Sequence, residues 1–577
     1  MIITRYIIFE PEAKSQGGHY YHVAKGLKDE AAAMGFECKL IVHSSMHIDE
    51  DSATPLFRMG YWRTNYSEEA SRLFEKKGFF REKISYRRIS FRAHHINPTF
   101  LKFQLLHSAY IHRIKQKFVK IILTPFRFIT YFLDKISPIL KTLDFINVTM
   151  RIVRSDPGYK NSHIVIPTAN SNEIDAVRII SKLYPNIMFH IFIRAVYSEP
   201  ITSESKRSFD KNFNSTKLGK SLISISDQIR RNRISLYTDT NELKYLFQDA
   251  SGMKFTMTGV PTVQPSNNAE SLGEFHISFL GDSRQEKGFQ HLPPIVDGVS
   301  NLMPEVSFLI QVAGLKKSGK DGITNANLLE MQEAQLGPNH LRLIHGDLNA
   351  DDYQEILFQS KIVLLPYDPS NYVRRSSGIF FEAIFNSCIP SIPTGTTLSR
   401  TIYLNYGNYL KSKKNTDLKK IDFQGNRLHR TYFCEQNRAH AFTFDFKDST
   451  ASFLKIIVKD VDSQNEDVHL IMHDNQLQES SYAIPLNPDF QNIILEISKE
   501  DGSSFNLTDV SFEKHDMRVS FFGPIYDSPT QIVNRLQYIY SNYHPCLEAI
   551  KFCADALQKE NTYSNAFEKI VNNSSTI

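Results

Sequence analysis

Cysteine is scarce in this sequence, with only five among 577 residues. No two of them have CxxC spacing, and none belongs to a set with metal-ligand spacing. A scattered, odd number of cysteines is typical of reduced thiols in a cytosolic protein and argues against a disulfide framework. The five are Cys38, Cys388, Cys434, Cys546 and Cys553.

Long apolar runs are also lacking, since none approaches the roughly 18 to 20 residues that span a bilayer. Residues 1–9 are typical of a short strand that soon meets Glu10 and Glu12. They lack the basic start and long apolar core of a signal peptide. We therefore expect a cytoplasmic protein.

Net charge is only +5, but it is unevenly distributed. Residues 81–154 hold fifteen Lys and Arg against three Asp and Glu. The mixture of cations and large apolar side chains is typical of a helical segment on an anionic membrane surface, which predicts peripheral contact with the inner face of a membrane. Helices packed on a sheet with solvated lysines are the alternative. Nucleic acid is disfavoured, because no nucleic-acid motif accompanies the charge.

The length predicts two to four domains. Strands alternating with helices predict two Rossmann-like, doubly wound α/β domains facing a cleft: residues 1–260, with the basic segment as a helical insertion, and residues 261–415. Several short strand-like segments without helices predict an inserted all-β sandwich over 425–515, similar in strand pattern to a carbohydrate-binding module. Residues 516–577 are expected to return to the second domain and end in helices.

Three short segments are predicted to connect these domains or their elements. Ser221–Ser226 is a short apolar segment before a helix start at Asp227. Phe255–Pro265, with two prolines, indicates the crossover between the α/β halves. Val519–Phe522 is the segment at which the α/β pattern resumes.

A paired-glycine loop follows the first predicted strand. Gly17 and Gly18 precede His19, and the next residues have helical composition. Glycines let backbone amides approach a phosphate or sugar closely. The loop lacks the GxGxxG fingerprint, so a tight turn without a ligand is an equal alternative.

Two loops in the second domain carry the strongest functional signal. Gly281–Gly288 follows an apolar strand and contains Arg284 and Lys287, while Ser376–Glu382 follows the strand Ile362–Pro366. Open α/β sheets bind ligands at the carboxyl ends of their strands. Cations and a helix N-terminus balance phosphate charge, and a carboxylate accepts from ribose hydroxyls. These residues predict a sugar-nucleotide site; a solvated helix cap and a surface carboxylate are the alternatives.

The G-x-x-R-x-x-K-G loop and the later S-G-x-x-x-E-A helix start resemble the retaining glycosyltransferases of GT-B fold, family 4. The resemblance is strong in the second domain and faint in the first. It implies that Arg284 and Lys287 hold the diphosphate of a nucleotide sugar and that Glu382 binds the ribose, with no metal or other cofactor required. The residues implied to line the pocket are Gly281, Ser376, Ser377 and Gly378.

The chain departs from this family pattern in two places. Eight positions before Glu382, many members have a second Glu; here Arg374 stands there, with Arg375 beside it, and both are candidates for added phosphate binding. A His that often follows the strand aligned with His163–Pro167 is absent. The remaining polar candidates for the acceptor side of the cleft are Thr168, Asn170, His190, Arg194 and His19, although a lone His is more often structural.

Asp460-Val461-Asp462 resembles a metal-binding DxD motif, but it lies between predicted strands, where a turn is the simpler interpretation. With Asp467 it could bind calcium, yet the glycine of an EF-hand loop is missing. No metal site is predicted.

Together these features predict a retaining glycosyltransferase that moves a sugar from a nucleotide diphosphate donor to a glycan or lipid-linked acceptor. A non-catalytic glycan-binding or assembly protein on a degenerate scaffold is the alternative. The β domain would then be the working part, and it is an equally plausible site of homo-oligomerisation.

Overall fold

The computed structural model describes most of the chain. Its described residues are 5–13, 19–46, 53–58, 138–194, 211–262, 274–413, 421–433, 439–446, 452–462, 466–473, 480–485, 492–499, 503–515 and 529–575. They form an α/β protein with two parallel sheets and two smaller antiparallel sheets.

The first sheet is parallel throughout and has the strand order β3-β2-β1-β4-β5-β6-β7. Ile7 and Phe9 of β1 enter a hydrophobic cluster on one face, and Tyr6 and Ile8 enter another on the opposite face. Burial on both faces explains the nearly continuous apolar strands. The strands are β1 Arg5–Glu10, β2 Glu37–His43, β3 Thr54–Phe57, β4 His163–Ile166, β5 Met188–Phe192, β6 Ile234–Thr238 and β7 Phe255–Met257.

The helices around this sheet correct one local prediction. Ser221–Ser226 lies within the helix Lys217–Ser224 and the start of the next one, so the helical segment begins well before Asp227. The strands β3, β6 and β7 were not predicted, and β7 falls inside the expected crossover. The helices are His19–Ala33, Ser171–Leu183, Lys217–Ser224, Ser226–Arg230 and Asn241–Ser251.

The second sheet is also parallel and has the order β10-β9-β8-β11-β12. Its strands are β8 His276–Phe279, β9 Ser307–Val312, β10 Leu341–His345, β11 Ser360–Leu364 and β12 Ile389–Ser391. The sequence predicts all five to within two residues, from apolar runs at His276–Leu280, Val306–Ala313, Leu341–His345, Ile362–Pro366 and Ile389–Pro393. Its helices are Leu292–Leu302, Leu315–Leu336, Ala350–Gln359, Pro369–Tyr372, Gly378–Phe385 and Thr397–Lys413.

In both parallel sheets the strand order reverses at one point, between β1 and β4 in the first and between β8 and β11 in the second. Such a reversal opens a crevice at the carboxyl ends of the two strands, and doubly wound sheets bind ligands there. A ligand-binding site is therefore expected in the loops that follow β1, β4, β8 and β11.

The region after residue 420 forms two four-stranded antiparallel sheets, with orders β13-β20-β15-β18 and β14-β19-β16-β17. Phe442 and Phe444 from one sheet and Ile456 and Ile497 from the other belong to one hydrophobic cluster. The strands are β13 Ile421–Gly425, β14 Arg427–Phe433, β15 Ala439–Phe446, β16 Ser452–Asp460, β17 Glu466–His473, β18 Ser480–Pro485, β19 Asn492–Lys499 and β20 Phe505–His515. The first two were not predicted individually.

Three helices follow, Pro529–Ser541, Tyr543–Gln558 and Tyr563–Ser575. The first two pack into the core of the second sheet, whereas Phe567 and Ile570 of the third belong to the core of the first. Tyr563 lies against Gly26, where an added Cβ would be 2.7 Å from the ring atom Cε2. The last helix therefore completes the first α/β unit. The predicted segment Val519–Phe522 lies outside the described residues.

Only the end of the basic segment is described, as helical residues 138–155. Phe145 and Val148 on this helix are buried in the first core, while Ile139 and Leu143 are 60% and 53% exposed. Within the described ranges, no helix is both long and apolar enough to cross a membrane.

Candidate active site

The two predicted loops of the second sheet meet at Gly281. This glycine has φ +98°, a conformation that side chains other than glycine rarely adopt. A Cβ added there would be 2.7 Å from Nζ of Lys287 and 3.1 Å from Cδ1 of Ile379. The ammonium group therefore lies over Gly281, beside the first turn of the helix Gly378–Phe385.

Lys287 is a cation held in a partly buried position. Burial, and to a smaller extent repulsion from Arg284, lowers the pKa of Lys287 to about 8, although attraction to Asp282, Glu286 and Glu382 opposes the shift. Lys287 is thus still mostly protonated at neutral pH. A cation removed from water interacts more strongly with a phosphate than an exposed one does.

The Arg284 side chain is oriented by carboxylates of its own loop. Its Nη1 donates to Oε1 of Glu286 over 2.6 Å, and its Nε lies 3.3 Å from Oδ2 of Asp282. These contacts hold the guanidinium group in one place while leaving the side chain 37% exposed. A planar donor set held in this way is suited to two oxygens of a phosphate.

Glu382 lies on the helix Gly378–Phe385, one turn from its start. Its Oε2 accepts a hydrogen bond of 2.5 Å from the Tyr353 hydroxyl. Burial raises the pKa of Glu382, and both the bond from Tyr353 and the charge of Lys287 oppose that rise. Since Tyr353 engages Oε2, the oxygen that remains for a ligand hydroxyl is Oε1.

The N-terminus of this helix is not capped by its own N-cap side chain. Ser377 has extended backbone, and its hydroxyl pairs with the Tyr367 hydroxyl at 3.2 Å rather than with an amide of the helix. The first amides and the positive end of the helix dipole are thus directed toward the region beside Lys287, where they favour an anion.

The segment before that helix is attached to the first half of the chain. Ser376 donates to Oδ2 of Asp239 over 2.5 Å, and the Thr240 hydroxyl donates to the carbonyl oxygen of Arg374 over 2.8 Å. Asp239 and Thr240 follow β6, so the carboxyl edges of the two sheets face each other here. The Arg374 side chain is only 1% exposed, while Arg375 is partly buried.

An ion pair supports the same junction. Nε of Arg400 lies 3.1 Å from Oε1 of Glu242, and its Nη2 donates to the carbonyl oxygen of Val373. The Arg400 side chain is 3% exposed. A buried pair with both partners satisfied resists separation, so the junction fixes the placement of the Ser376–Glu382 loop.

On the first sheet, four neighbouring strands end in polar residues. Glu10 is the last residue of β1, and Thr168, Arg194 and Asp239 follow β4, β5 and β6. Burial raises the pKa of Glu10 well above its usual value, while Arg194 and Thr168 oppose the rise. Thr168 and Arg194 therefore lie at the carboxyl edge of the first sheet, the edge that faces the second sheet.

Tyr20 lies between this edge and the Gly281–Gly288 loop of the second sheet. Burial and the carboxylates Glu10 and Glu12 raise the pKa of the Tyr20 phenol, and Arg284 acts on it in the opposite direction. The phenol therefore lies within electrostatic reach of both halves. A ligand that contacts Arg284 would lie close to the end of β1.

Two other predicted cleft residues have local roles. Asn170 caps the helix Ser171–Leu183: its Oδ1 accepts from the Asn172 amide, and its own amide donates to Glu173, a complete capping box. His190 is fully buried, with ring nitrogens 3.1 Å from His163 and 3.0 Å from the Tyr237 hydroxyl. Gly17 and Gly18 lie outside the described residues, and His19 begins the helix His19–Ala33.

The buried histidines predict loss of stability in acid. Burial lowers the pKa of His163 to about 4, and it lowers that of His190 well below 6.5. The unfolded chain therefore binds more protons below pH 6.5, so stability falls as pH drops from 6.5 toward 4. We expect the melting temperature to fall between pH 7.5 and pH 5, and to fall less in His163→Gln. The exposed His429→Gln is the control; an unchanged slope in His163→Gln would contradict the assignment.

Sequence reasoning missed Glu10, Asp239 and Tyr353. Glu10 and Asp239 stand at strand ends, and a systematic look at the residue after each strand would have found Glu10. Asp239 was missed because β6 itself was not recognised. Tyr353 lies on the helix Ala350–Gln359, and only the folded structure brings it to Glu382.

The described part of the chain has no group of three or more His, Cys, Asp or Glu placed to hold a metal ion. Asp460 ends β16, and Oδ2 of Asp462 accepts from Asn492 over 2.6 Å. The Asp460–Asp462 segment thus lies at the end of a strand, and part of it is engaged with the neighbouring strand β19.

No family model matches this chain, and no curated protein matches it. Solved structures do. Sucrose-phosphate synthase from Thermosynechococcus elongatus shares 9% identity over 99% of this chain and 98% of its own, with a TM-score of 0.48. HepE from Anabaena, solved with UDP, shares 8% identity over the full length of both chains, with a TM-score of 0.44. OtsA shares 9% over 69% of this chain and 86% of its own, with a TM-score of 0.37. These are glycosyltransferases of GT-B fold.

Proposed function

We propose that this chain is a retaining, hexosyltransferase-type glycosyltransferase that moves a sugar from a nucleotide diphosphate donor to a glycan or lipid-linked acceptor, in polysaccharide or glycoconjugate biosynthesis. The observation that carries the proposal is the meeting of Lys287 with the first turn of the helix Gly378–Phe385 over Gly281. A cation, an uncapped helix N-terminus and a glycine without a side chain together suit a diphosphate.

The chemistry of transfer fits these groups. When the sugar leaves, negative charge develops on the terminal phosphate of the nucleotide. Lys287, Arg284 and the helix amides are already in place to stabilise that charge, so little reorganisation is needed as it forms. Glu382 accepts from a ribose hydroxyl through Oε1, and Tyr353 holds the carboxylate in that orientation.

The acceptor is proposed to approach from the first half, at the edge formed by Thr168 and Arg194. Transfer requires the two halves to be closed on each other, and the contacts of Ser376 and Arg400 join the halves on this side of the site. In retention as the family resemblance implies it, an oxygen of the donor phosphate takes the acceptor proton.

A thermal-shift screen with UDP-, GDP- and ADP-sugars tests the donor site. Because a ligand that binds only the folded state stabilises it, we expect one of these donors to raise the melting temperature of the unmutated chain. Arg284→Ala and Glu382→Ala should lose most of that rise. Arg342→Ala, an exposed change on β10, should keep it. Absence of a shift with every donor would reject the proposal.

The two antiparallel sheets are proposed to form a β-sandwich. Their shared cluster, with Phe442 and Ile456 on facing sheets, supports this arrangement. The helix Thr397–Lys413 contributes Tyr403 to the same cluster, so the β region is attached to the donor half. Glycan binding and self-association are the two functions that such an attached module would serve.

Peripheral membrane contact on the cytoplasmic side is proposed for residues 81–154. The exposed Ile139 and Leu143, one turn apart on the described end of the segment, add apolar surface to its positive charge. In liposome flotation we expect more protein with anionic than with neutral vesicles, less at high salt, and less for Ile139→Ser/Leu143→Ser. Equal recovery from both vesicle types would remove the electrostatic basis of the proposal.

A further inference from the structure

The strand-order reversal of the first sheet has its own set of polar groups. Glu10 ends β1 and Thr168 follows β4, so these two residues flank the crevice. Asp239 lies two strands further along the same edge and contacts Ser376 of the donor half. In the second sheet, the corresponding crevice is bordered by the loop that carries Lys287. The two crevices are therefore parts of one site.

Buried carboxylate oxygens at this edge lack hydrogen-bond donors. Glu10 is fully buried, and its Oε1 accepts from the Glu12 amide, but its Oε2 has no partner in the described part of the chain. Asp239 is 7% exposed, and within the same ranges its Oδ1 also has none, although Oδ2 accepts from Ser376. The hydroxyl of Thr238 likewise has no hydrogen-bond partner within the described residues. Buried polar atoms left in this way cost stability, which a donating ligand would restore.

We propose that Glu10 and Asp239 accept hydrogen bonds from the acceptor and that its reacting unit is an uncharged sugar rather than a sugar phosphate. This inference rests on the proposed glycosyltransferase activity and specifies its substrate class. Sugar hydroxyls supply the donors that Oε2 of Glu10 and Oδ1 of Asp239 lack. A phosphate group offers only acceptor oxygens, so it cannot supply the donor that either of these oxygens lacks.

The charge distribution across the site supports a phosphate in the donor half and an uncharged sugar at the facing edge. Arg284 and Lys287, the cations suited to a phosphate, belong to the donor half. On the facing edge, Arg194 acts on both Glu10 and Asp239 and lowers the pKa of each against the effect of burial. The positive charge of Arg194 is thus already opposed by two carboxylates. A second phosphate would find no comparable excess of positive charge there.

Paired acceptors test the inference on the full chain. With the donor identified by thermal shift, the release of nucleotide diphosphate is measured with glucose, galactose, mannose and N-acetylglucosamine, and with the 6-phosphate of each. We expect a neutral sugar to stimulate release and its phosphate to be at least about tenfold weaker, because leaving one buried oxygen without a donor suffices for such a factor.

Variants assign the effect to the carboxylates. Glu10→Gln should lower kcat/KM for the neutral sugar about ten- to a hundredfold, the range for loss of a hydrogen bond to a charged group, and should narrow the preference over the phosphate. Asp239→Asn retains an oxygen for Ser376 and should also reduce the preference for the neutral sugar over its phosphate. Glu173→Gln is the matched control: it is equally buried with one unpaired oxygen, and Gln also serves in a capping box.

The outcomes separate this inference from the proposed function. If no donor binds, the proposed function fails and the inference fails with it. If a donor binds, three results overturn the inference alone: a phosphate that reacts as well as its neutral sugar, a lack of stimulation by every neutral sugar, or a preference that Glu10→Gln leaves unchanged.

Discussion

Replacing Lys287 by methionine is expected to lower kcat/KM for glycosyl transfer by about a hundredfold or more. Methionine keeps the length of the side chain but removes the ammonium group that lies over Gly281. The leaving diphosphate then loses a charge that was held in place before the reaction began. The fold should be unaffected, since an apolar side chain is easily accommodated in this partly buried position.

In its proposed role, the same residue should set an alkaline limit on activity. With a pKa of about 8, Lys287 loses its proton as the pH rises through that value, and the catalytic form is the protonated one. Plots of kcat/KM against pH should therefore fall above about pH 8 in the unmutated chain, and this limb should disappear in Lys287→Met.

Lys361→Met is the matched control for this experiment. Lys361 lies near the amino end of β11, on the opposite edge of the same sheet, with its ammonium 5.6 Å from the centre of the Tyr543 ring. It should keep both the rate and the pH profile. Turnover by Lys287→Met that matches the unmutated chain would refute the role given to this lysine.

Gly288→Ala should destabilise the chain by about 3–5 kcal/mol and remove donor binding. Gly288 has φ +77°, and a Cβ there would overlap the carbonyl oxygen of Pro366 and lie 2.6 Å from its carbonyl carbon. The two loops of the donor site approach each other through this contact, and the amide of Asp368 donates to Glu286 beside it. Neither backbone can yield without moving Lys287.

Gly252→Ala separates the effect of a positive φ from the effect of the contact with Pro366. Gly252 has nearly the same backbone conformation, φ +68°, but nothing lies within 4 Å of its added Cβ. The substitution Gly252→Ala should lower the free energy of unfolding by only about 1 kcal/mol and leave donor binding intact. Thermal melting and donor titration on both variants make the comparison. Equal losses of stability would show that the close approach to Pro366 contributes nothing.

The two loops of the proposed donor site were predictable from sequence because their signals are local. β8 and β11 are short apolar runs, and each is followed within a few residues by the loop that matters. The helix Leu315–Leu336 was less predictable, because two glycines and several polar residues in its first turns hide the helical periodicity, which becomes clear only near Ala326. There, packing on the sheet outweighs local propensity.

The acceptor side was less predictable because it is assembled over long distances. Strand β6, Ile234–Thr238, mixes polar and apolar residues and was not recognised, so Asp239 was not seen as a strand-end residue. Glu10 and Asp239 share one edge of the sheet only because the strands β1, β4, β5 and β6 pair side by side. By contrast, the capping role of Asn170 could have been inferred, since Glu173 follows three residues later.

The last helix, Tyr563–Ser575, has a consequence for folding during synthesis. Its Phe567 and Ile570 complete the core of the first α/β unit, and the amide of Val260 donates to Asn561 just before it. A nascent chain that has finished the first 262 residues still lacks this covering helix, because the whole second unit is translated in between. Part of the apolar face of the first sheet therefore stays exposed to solvent, beside the helix His19–Ala33, and chaperone binding to nascent chains should persist until residue 570 has left the ribosome.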